Sequence, residues 1–267
     1  MKKYLYLLMS LFLVFLTACS NPNVDKLSEI KEKGKITLAV SPDYPPYEFY
    51  TAENGQVKVV GADIFLAEEI AKELGVKLEI VQLSFDSLLP ALNSGRVDMV
   101  ISGMNPNEER RQVVDFSDTY YVSGSAFIVK NKDITSEEDL KKMRIGVQKG
   151  SIQEKFLLDE MKLPMDNLQA LADTPSLLQD LSNENIDAIF MAEDVSKISL
   201  AKEKDLKLST FKFAKDAESD GMAIAFEKSN NADLITEVNK VVNKLKSENK
   251  FEQELNKYAA LVAESEE

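Results

Sequence analysis

Residues 95–121, GRVDMVISGMNPNEERRQVVDFSDTYY, decide how this chain is read. After Asp98 the apolar run Met99-Val100-Ile101 has the length and composition of a short buried strand, and Ser102-Gly103 ends it with small, turn-prone residues. Asn105-Pro106-Asn107 then offers an Asx-turn or helix N-cap ahead of Glu108-Glu109, acidic residues suited to a first helical turn. Arg110 is thereby placed one turn inside a helix, beside a strand end and its unpaired backbone N–H groups. A planar fork of donors in that position is a receptor for a carboxylate. Taken alone, Arg110 also reads as a solvated surface arginine, the ordinary fate of the residue type.

Outward from this stretch, strand and helix patterns alternate. Residues 35–40 are an apolar strand. Residues 62–74 carry helical spacing (Ile64, Leu66, Ile70, Leu74) closed by Gly75; 77–81 alternate as a strand, 85–92 form a helix and 97–101 the next strand. The order βαβαβ implies a doubly wound sheet, which binds ligands beyond the carboxyl ends of its strands. A second set follows, with strands at 143–147 and 186–191 and helices near 152–161 and 175–183. The segments 123–130 and 221–227 are β-rich, flanked by small residues, and read as two strands crossing between lobes. The expected fold is therefore α/β with two lobes: 34–124 with 219–267 as lobe 1, and 125–218 as lobe 2. Leu234, Val238, Val241, Val242 and Leu245 form the apolar stripe of a late helix returned to lobe 1.

Composition excludes several classes. There is no histidine, which removes the commonest general base and metal ligand. No GxSxG, P-loop or dinucleotide glycine pattern follows a strand, so no catalytic nucleophile, metal or cofactor is expected. Most carboxylates, Asp25, Glu53 and Glu137-Glu138-Asp139 among them, read as solvated or capping groups. The net charge of −13 makes nucleic acid a poor partner.

At the N-terminus, Lys2-Lys3 precedes the apolar residues 4–16 and then Leu16-Thr17-Ala18-Cys19. The run is short for a membrane span and fits the h-region of a secretory signal. The sequence ending in Cys19 resembles a bacterial lipobox. It implies a signal peptide over 1–18, Cys19 as the acylated (palmitate-bearing) first mature residue, a tether over 19–33 leading into a short helix near 24–33, and a monomer anchored outside a cell membrane, in the manner of a Gram-positive surface protein. With its single cysteine modified, the chain has no disulfide or zinc-thiolate option.

The segment Gly95, Asp98, Ser102-Gly103-Met104, Arg110, Asp115-Phe116-Ser117 and Tyr120 closely resembles the pattern of the bacterial periplasmic-type amino-acid-binding proteins, the solute-binding subunits of polar amino-acid ABC transporters. Asn107 stands where that family usually has threonine, and it can still cap the turn. The resemblance covers nearly all of 35–258. It implies the periplasmic-binding-protein fold, two doubly wound sheets joined by two crossing strands, closing over an amino acid that is handed to an ABC permease. In that reading Arg110 clamps the α-carboxylate, and the Ser102-Gly103 backbone and the Asn105 side chain face the amine.

Further site residues come from strand ends. By resemblance, in Ser41-Pro42-Asp43-Tyr44-Pro45-Pro46-Tyr47-Glu48-Phe49, Tyr44 faces the ligand side chain, while Tyr47 and Phe49 pack the lobe and Ser41 stands where some relatives place an acid for a cationic side chain. The three prolines stiffen that loop. Phe85 is the second aromatic wall, with a place in the core as its alternative. Gln148, Gly150, Ser151 and Ile152 resemble the family's second-lobe carboxylate loop, with Ile152 replacing a threonine or glycine. In Asp187-Ala188-Ile189-Phe190-Met191-Ala192-Glu193-Asp194, Ala192 occupies the position of the family's ammonium-binding acid, and Glu193 is the nearest replacement. Ser41, Ile152 and Ala192 together favour a ligand with a neutral side chain. Two rivals stand beside this reading: a dehydratase-like enzyme on the same scaffold, with Glu193 as its only suggestive acid, and a sensing or adhesion lipoprotein, disfavoured as a fused receptor because no further domain follows Glu267.

Overall fold

A computed structural model describes residues 25–53, 55–201, 203–214 and 220–264. The expected signal peptide and the expected lipidation site, Cys19, lie outside the described residues. Helix α1 (Lys26–Lys33) is capped by Asp25, whose carboxylate accepts from Ser28 N at 2.8 Å, and is ended by Gly34 at φ 65°. It is docked rather than loose: Ile30 is buried and Lys26 pairs with Asp98 at 2.8 Å.

From there the chain runs through β1 (Lys35–Val40), β2 (Asp43–Tyr44), β3 (Glu48–Glu53), β4 (Gln56–Val60), helix α2 (Ala62–Leu74), β5 (Lys77–Gln82), helix α3 (Phe85–Asn93), β6 (Met99–Val100), helix α4 (Glu108–Val113), β7 (Val114–Phe116) and β8 (Tyr121–Val122). It continues into β9 (Ser125–Val129), helix α5 (Glu137–Leu140), β10 (Ile145–Gln148), helix α6 (Ile152–Lys155) with a wider turn over Phe156–Glu160, β11 (Leu168–Leu171), helix α7 (Thr174–Ser182), β12 (Ala188–Ala192), helix α8 (Glu193–Leu200) and β13 (Lys207–Leu208). It returns through β14 (Gly221–Met222) and β15 (Ala225–Glu227) to helices α9 (Ala232–Ser247) and α10 (Lys250–Glu264).

Two five-stranded sheets result, ordered β5-β1-β6-β15-β7 and β11-β10-β12-β9-β13. In each, three strands pair in parallel, the fourth (β15 in one sheet, β9 in the other) runs antiparallel to them, and the outer strand (β7 or β13) pairs antiparallel with that fourth strand and so runs with the first three. The two-lobed α/β architecture expected from the sequence is present. The crossing itself is narrower than expected: β8 and β14 form a two-stranded ladder between the lobes, while β9 belongs wholly to the second sheet and β15 to the first. The apolar content of 123–130 and 221–227 reflects burial in those sheets, which is why the hinge looked longer in the sequence.

The parallel strands β1 and β6 of one sheet and β10 and β12 of the other end at Val40, Val100, Gln148 and Ala192 respectively, and the cleft lies between these carboxyl ends. One local device shapes it. Gly61 takes φ 139°, and a Cβ there would come 2.0 Å from the Tyr47 carbonyl oxygen, so only glycine lets α2 start against the proline loop. Ala62 N and Asp63 N then donate to Pro46 O and Tyr47 O at 3.1 and 2.9 Å, fastening the aromatic loop to the helix.

Candidate functional site

Arg110 lies in α4, whose N-cap Asn107 accepts from Arg110 N at 2.8 Å, as the sequence pattern requires. The guanidinium is not solvated. Arg110 is 8% exposed; one nitrogen donates to Asn105 O at 2.5 Å, the other reaches across the cleft to Gly150 O at 2.9 Å, and the group sits 5.5 Å from the Phe85 ring centre. Burial draws its pKa down to about 10, so it is still a cation at neutral pH. Among the described residues no carboxylate lies within ion-pair distance, and a buried cation held only by carbonyls is a strong attractor for an anion.

Beside it, past Phe85 and Asn105, Tyr44, Phe85, Gly103 and Asn105 from the first lobe meet Gln148, Ser151, Ile152, Gln153 and Ala192 from the second, with Ser123 and Met222 at the crossing ladder. The lobes are shut. The space they enclose is about 10 Å³, on the order of one water molecule. Lobe meets lobe through Tyr44 OH, which accepts from Ala192 N at 3.1 Å, through Asp43 Oδ2, which accepts from Thr174 N at 2.8 Å, and through Lys149 and Asp86 at 2.8 Å. Gly150, at φ 79°, lies close enough to Asp86 that a Cβ would sit 3.3 Å from its Cα.

Placement of the other expected residues is mixed. Ser102 is buried and uses its hydroxyl structurally, donating to Glu48 Oε1 at 2.5 Å and accepting from Ser41 N at 3.0 Å. Gly103 N is occupied by Asp63 Oδ2 at 2.7 Å, and Asn105 Nδ2 donates to Gly221 O at 3.0 Å, which ties the loop to the crossing ladder. In the second lobe, Gly150 N donates to Glu154 Oε2 at 2.6 Å and Ser151 caps α6 by accepting from Glu154 N at 3.1 Å. Gly150 therefore meets the clamp through its carbonyl, and the first α6 residues at the cleft are Ile152 and Gln153.

Glu193 is not brought to the cleft. Strand β12 ends at Ala192, and the next residue opens α8, which turns the Glu193 side chain toward Lys212 and Lys197 at 2.9 and 3.1 Å. The hydrogen bond from Lys212 holds its carboxyl below the usual range. An acid that does reach a second-lobe site residue is Asp43, which the sequence did not single out. Burial raises its pKa, and its Oδ2 accepts from Gln148 Nε2 at 3.3 Å while Oδ1 accepts from Ser41 Oγ at 2.6 Å. A carboxylate can only accept, so it fixes the Gln148 amide with its NH₂ outward and its carbonyl oxygen as the remaining polar end. Asp43 sits beside Tyr44 in a proline-rich loop, and that adjacency was the available signal.

The model of the bacterial extracellular solute-binding proteins, family 3, matches residues 36–260. The chain belongs to that family. It is 36% identical over 258 residues to the arginine-binding extracellular protein ArtP of Bacillus subtilis (strain 168), covering 94% of this chain and 96% of that one. Against a probable histidine-binding protein of Campylobacter jejuni it is 34% identical, covering 97% and 99%. A crystal structure of an amino-acid ABC transporter substrate-binding protein from Streptococcus pneumoniae bound to L-arginine superposes with a TM-score of 0.82 at 36% identity, covering 89% of this chain and 98% of that one. These relatives of family 3 are solute-binding proteins rather than enzymes. Among the described residues, no helix is long and apolar enough to cross a membrane.

Proposed function

We propose that this family 3 protein is the receptor of an ABC importer that captures an amino acid between its lobes and presents the shut form to the permease. The buried, acid-free Arg110 at the meeting of both lobes carries this reading, because it supplies a dry cationic seat for an α-carboxylate. Phe85 backs the guanidinium, and Tyr44 stands over the side-chain space. With a cleft this tight, the ligand enters only when the lobes part, and its bridging of Arg110 to the second lobe favours the shut form.

For the side chain the reading departs from the neutral ligand that Ser41, Ile152 and Ala192 suggested. The Asp43–Gln148 pair places an acid and an oriented amide oxygen beyond Tyr44, and a cationic side chain of the arginine type fits that end. The names of the relatives, arginine-binding and histidine-binding, point the same way. The protein acts outside the cell, held to the membrane through an acyl group on Cys19. It serves as a monomer and catalyses nothing.

The test is calorimetric titration with L-arginine, L-histidine, L-glutamine and L-cystine, paired with thermal shift. A ligand at about 100 times its Kd raises stability by about 2.7 kcal/mol. L-Arginine is expected to give the largest shift; a protein unmoved by all four has another solute. For the anchor, Cys19→Ala is expected to move the protein from membrane to soluble fraction in its native host.

A further inference from the structure

Two carboxyl groups lie beneath the first-lobe half of the cleft and make none of the contacts assigned to a ligand. Glu48, opening β3, and Asp63, in the first turn of α2, are both fully buried at 0% exposure. Glu48 Oε1 accepts from Ser102 Oγ at 2.5 Å, and Asp63 Oδ2 accepts from Gly103 N at 2.7 Å and Tyr120 OH at 3.0 Å. Their second oxygens, Glu48 Oε2 and Asp63 Oδ1, are buried and meet no N–H or hydroxyl donor among the described residues. The two carboxyls are held by consecutive residues of one loop, Glu48 by Ser102 and Asp63 by Gly103, and each keeps one buried oxygen without a donor. Ionised carboxylates only accept, so a buried pair left with two such oxygens is satisfied from within only when one member carries a proton. The groups acting on Asp63 are Gly103, Tyr120 and Glu48, with no cation among them. Those facing Glu48 are Asp63, Ser102 and Asp43, with Tyr44 nearby.

We propose that Glu48 and Asp63 share one proton, carried by Glu48 and donated to Asp63, and that the pair positions the ligand loop 102–105 against the aromatic loop 44–47. The donor count assigns the proton: Asp63 receives two donors and keeps the charge, whereas Glu48 receives one. Burial pushes the Asp63 pKa up to about 6 and that of Glu48 well above the usual carboxyl range, in the same order. The arrangement has a consequence for binding. Ser102-Gly103 leads directly to Asn105, whose carbonyl holds Arg110. A second negative charge beneath that loop would repel the ligand carboxylate, and the shared proton removes it.

Because the folded Glu48 pKa is raised above its unfolded value, the native state holds the extra proton. Stability is full below the unfolded pKa and falls as pH rises toward the folded one. The test measures denaturant unfolding of the full chain against pH, for wild type and Glu48→Gln. The glutamine amide can still donate to Asp63 and accept from Ser102. Across the neutral range Glu48→Gln is expected to gain on wild type about tenfold in folding equilibrium constant per pH unit, the slope for one proton. Infrared spectra at neutral pH are expected to show a protonated-carboxyl carbonyl band in wild type that Glu48→Gln lacks. Parallel pH profiles overturn the proposal. So does a wild-type spectrum at neutral pH with no protonated carboxyl, a result that holds whether or not the variant folds.

Discussion

The two walls of the cleft are built by different means. The first-lobe wall is a braced unit: Tyr44 and Tyr47 are stacked at 6.1 Å, loop 102–105 is tied to Glu48, Asp63 and Gly221, and Arg110 is locked by Asn105 O and the Phe85 ring. The second-lobe wall offers a neutral amide, Gln148, a capped helix start at Ser151–Gln153 and the small Ala192. One wall holds the charge and its rigid support before the lobes meet; the other supplies contacts that form only when they do. Affinity should therefore reside mainly in the first lobe, and the balance between open and shut forms in the second.

The strongest challenge to that division is Arg110→Ala. It should lose at least about 2 kcal/mol of binding, within the range for truncating one partner of a buried hydrogen-bonded charge pair. Unfolding should stay cooperative, and near-wild-type titration would move the anchor elsewhere. Asp43→Asn sharpens the comparison from the side-chain end. Loss of the acid that orients Gln148 should weaken arginine by about 1.5 to 3 kcal/mol, the scale of a hydrogen bond to a charged group, and glutamine by less. Equal losses for both would leave Asp43 as an interlobe brace only. Ala192→Asp places a carboxylate on the poorer wall and should tighten a free amino acid by about 1.5 kcal/mol through its ammonium. Unchanged or weaker binding in competition assays would show that the amine is not held from that wall. The smallest effect belongs to Glu193→Gln. Its partners are surface lysines, and affinity should shift by less than about 0.5 kcal/mol; a larger loss would return Glu193 to the site.

How much of this could be read from residues alone follows from what sets each feature. Strand β1, helix α2 with its Gly75 cap and helix α3 were legible because hydrophobic period and cap chemistry are local. The small β2-β3-β4 meander was missed: prolines flank the two-residue β2, and β3 and β4 are largely exposed, so no buried face imposes an apolar alternation on them. For the site, Arg110, Tyr44, Phe85, Gln148 and Ile152 do converge. Glu193 failed on a single step: whether a residue ends a strand or begins a helix decides which way its side chain leaves, and sequence patterns place such boundaries only to within a few residues. Asp43 and the Glu48–Asp63 pair depend on contacts across distant segments, which no local pattern encodes.

Direct lobe-to-lobe bonds such as Tyr44 to Ala192, Asp43 to Thr174 and Lys149 to Asp86 bear on traffic at the transporter. They adhere without help from cargo. Each about 1.4 kcal/mol of such adhesion multiplies by ten the ratio of shut to open receptors that carry nothing. Unladen copies then queue at the same docking face as laden ones, so weakening these bonds should raise the yield of productive dockings even where it lowers affinity.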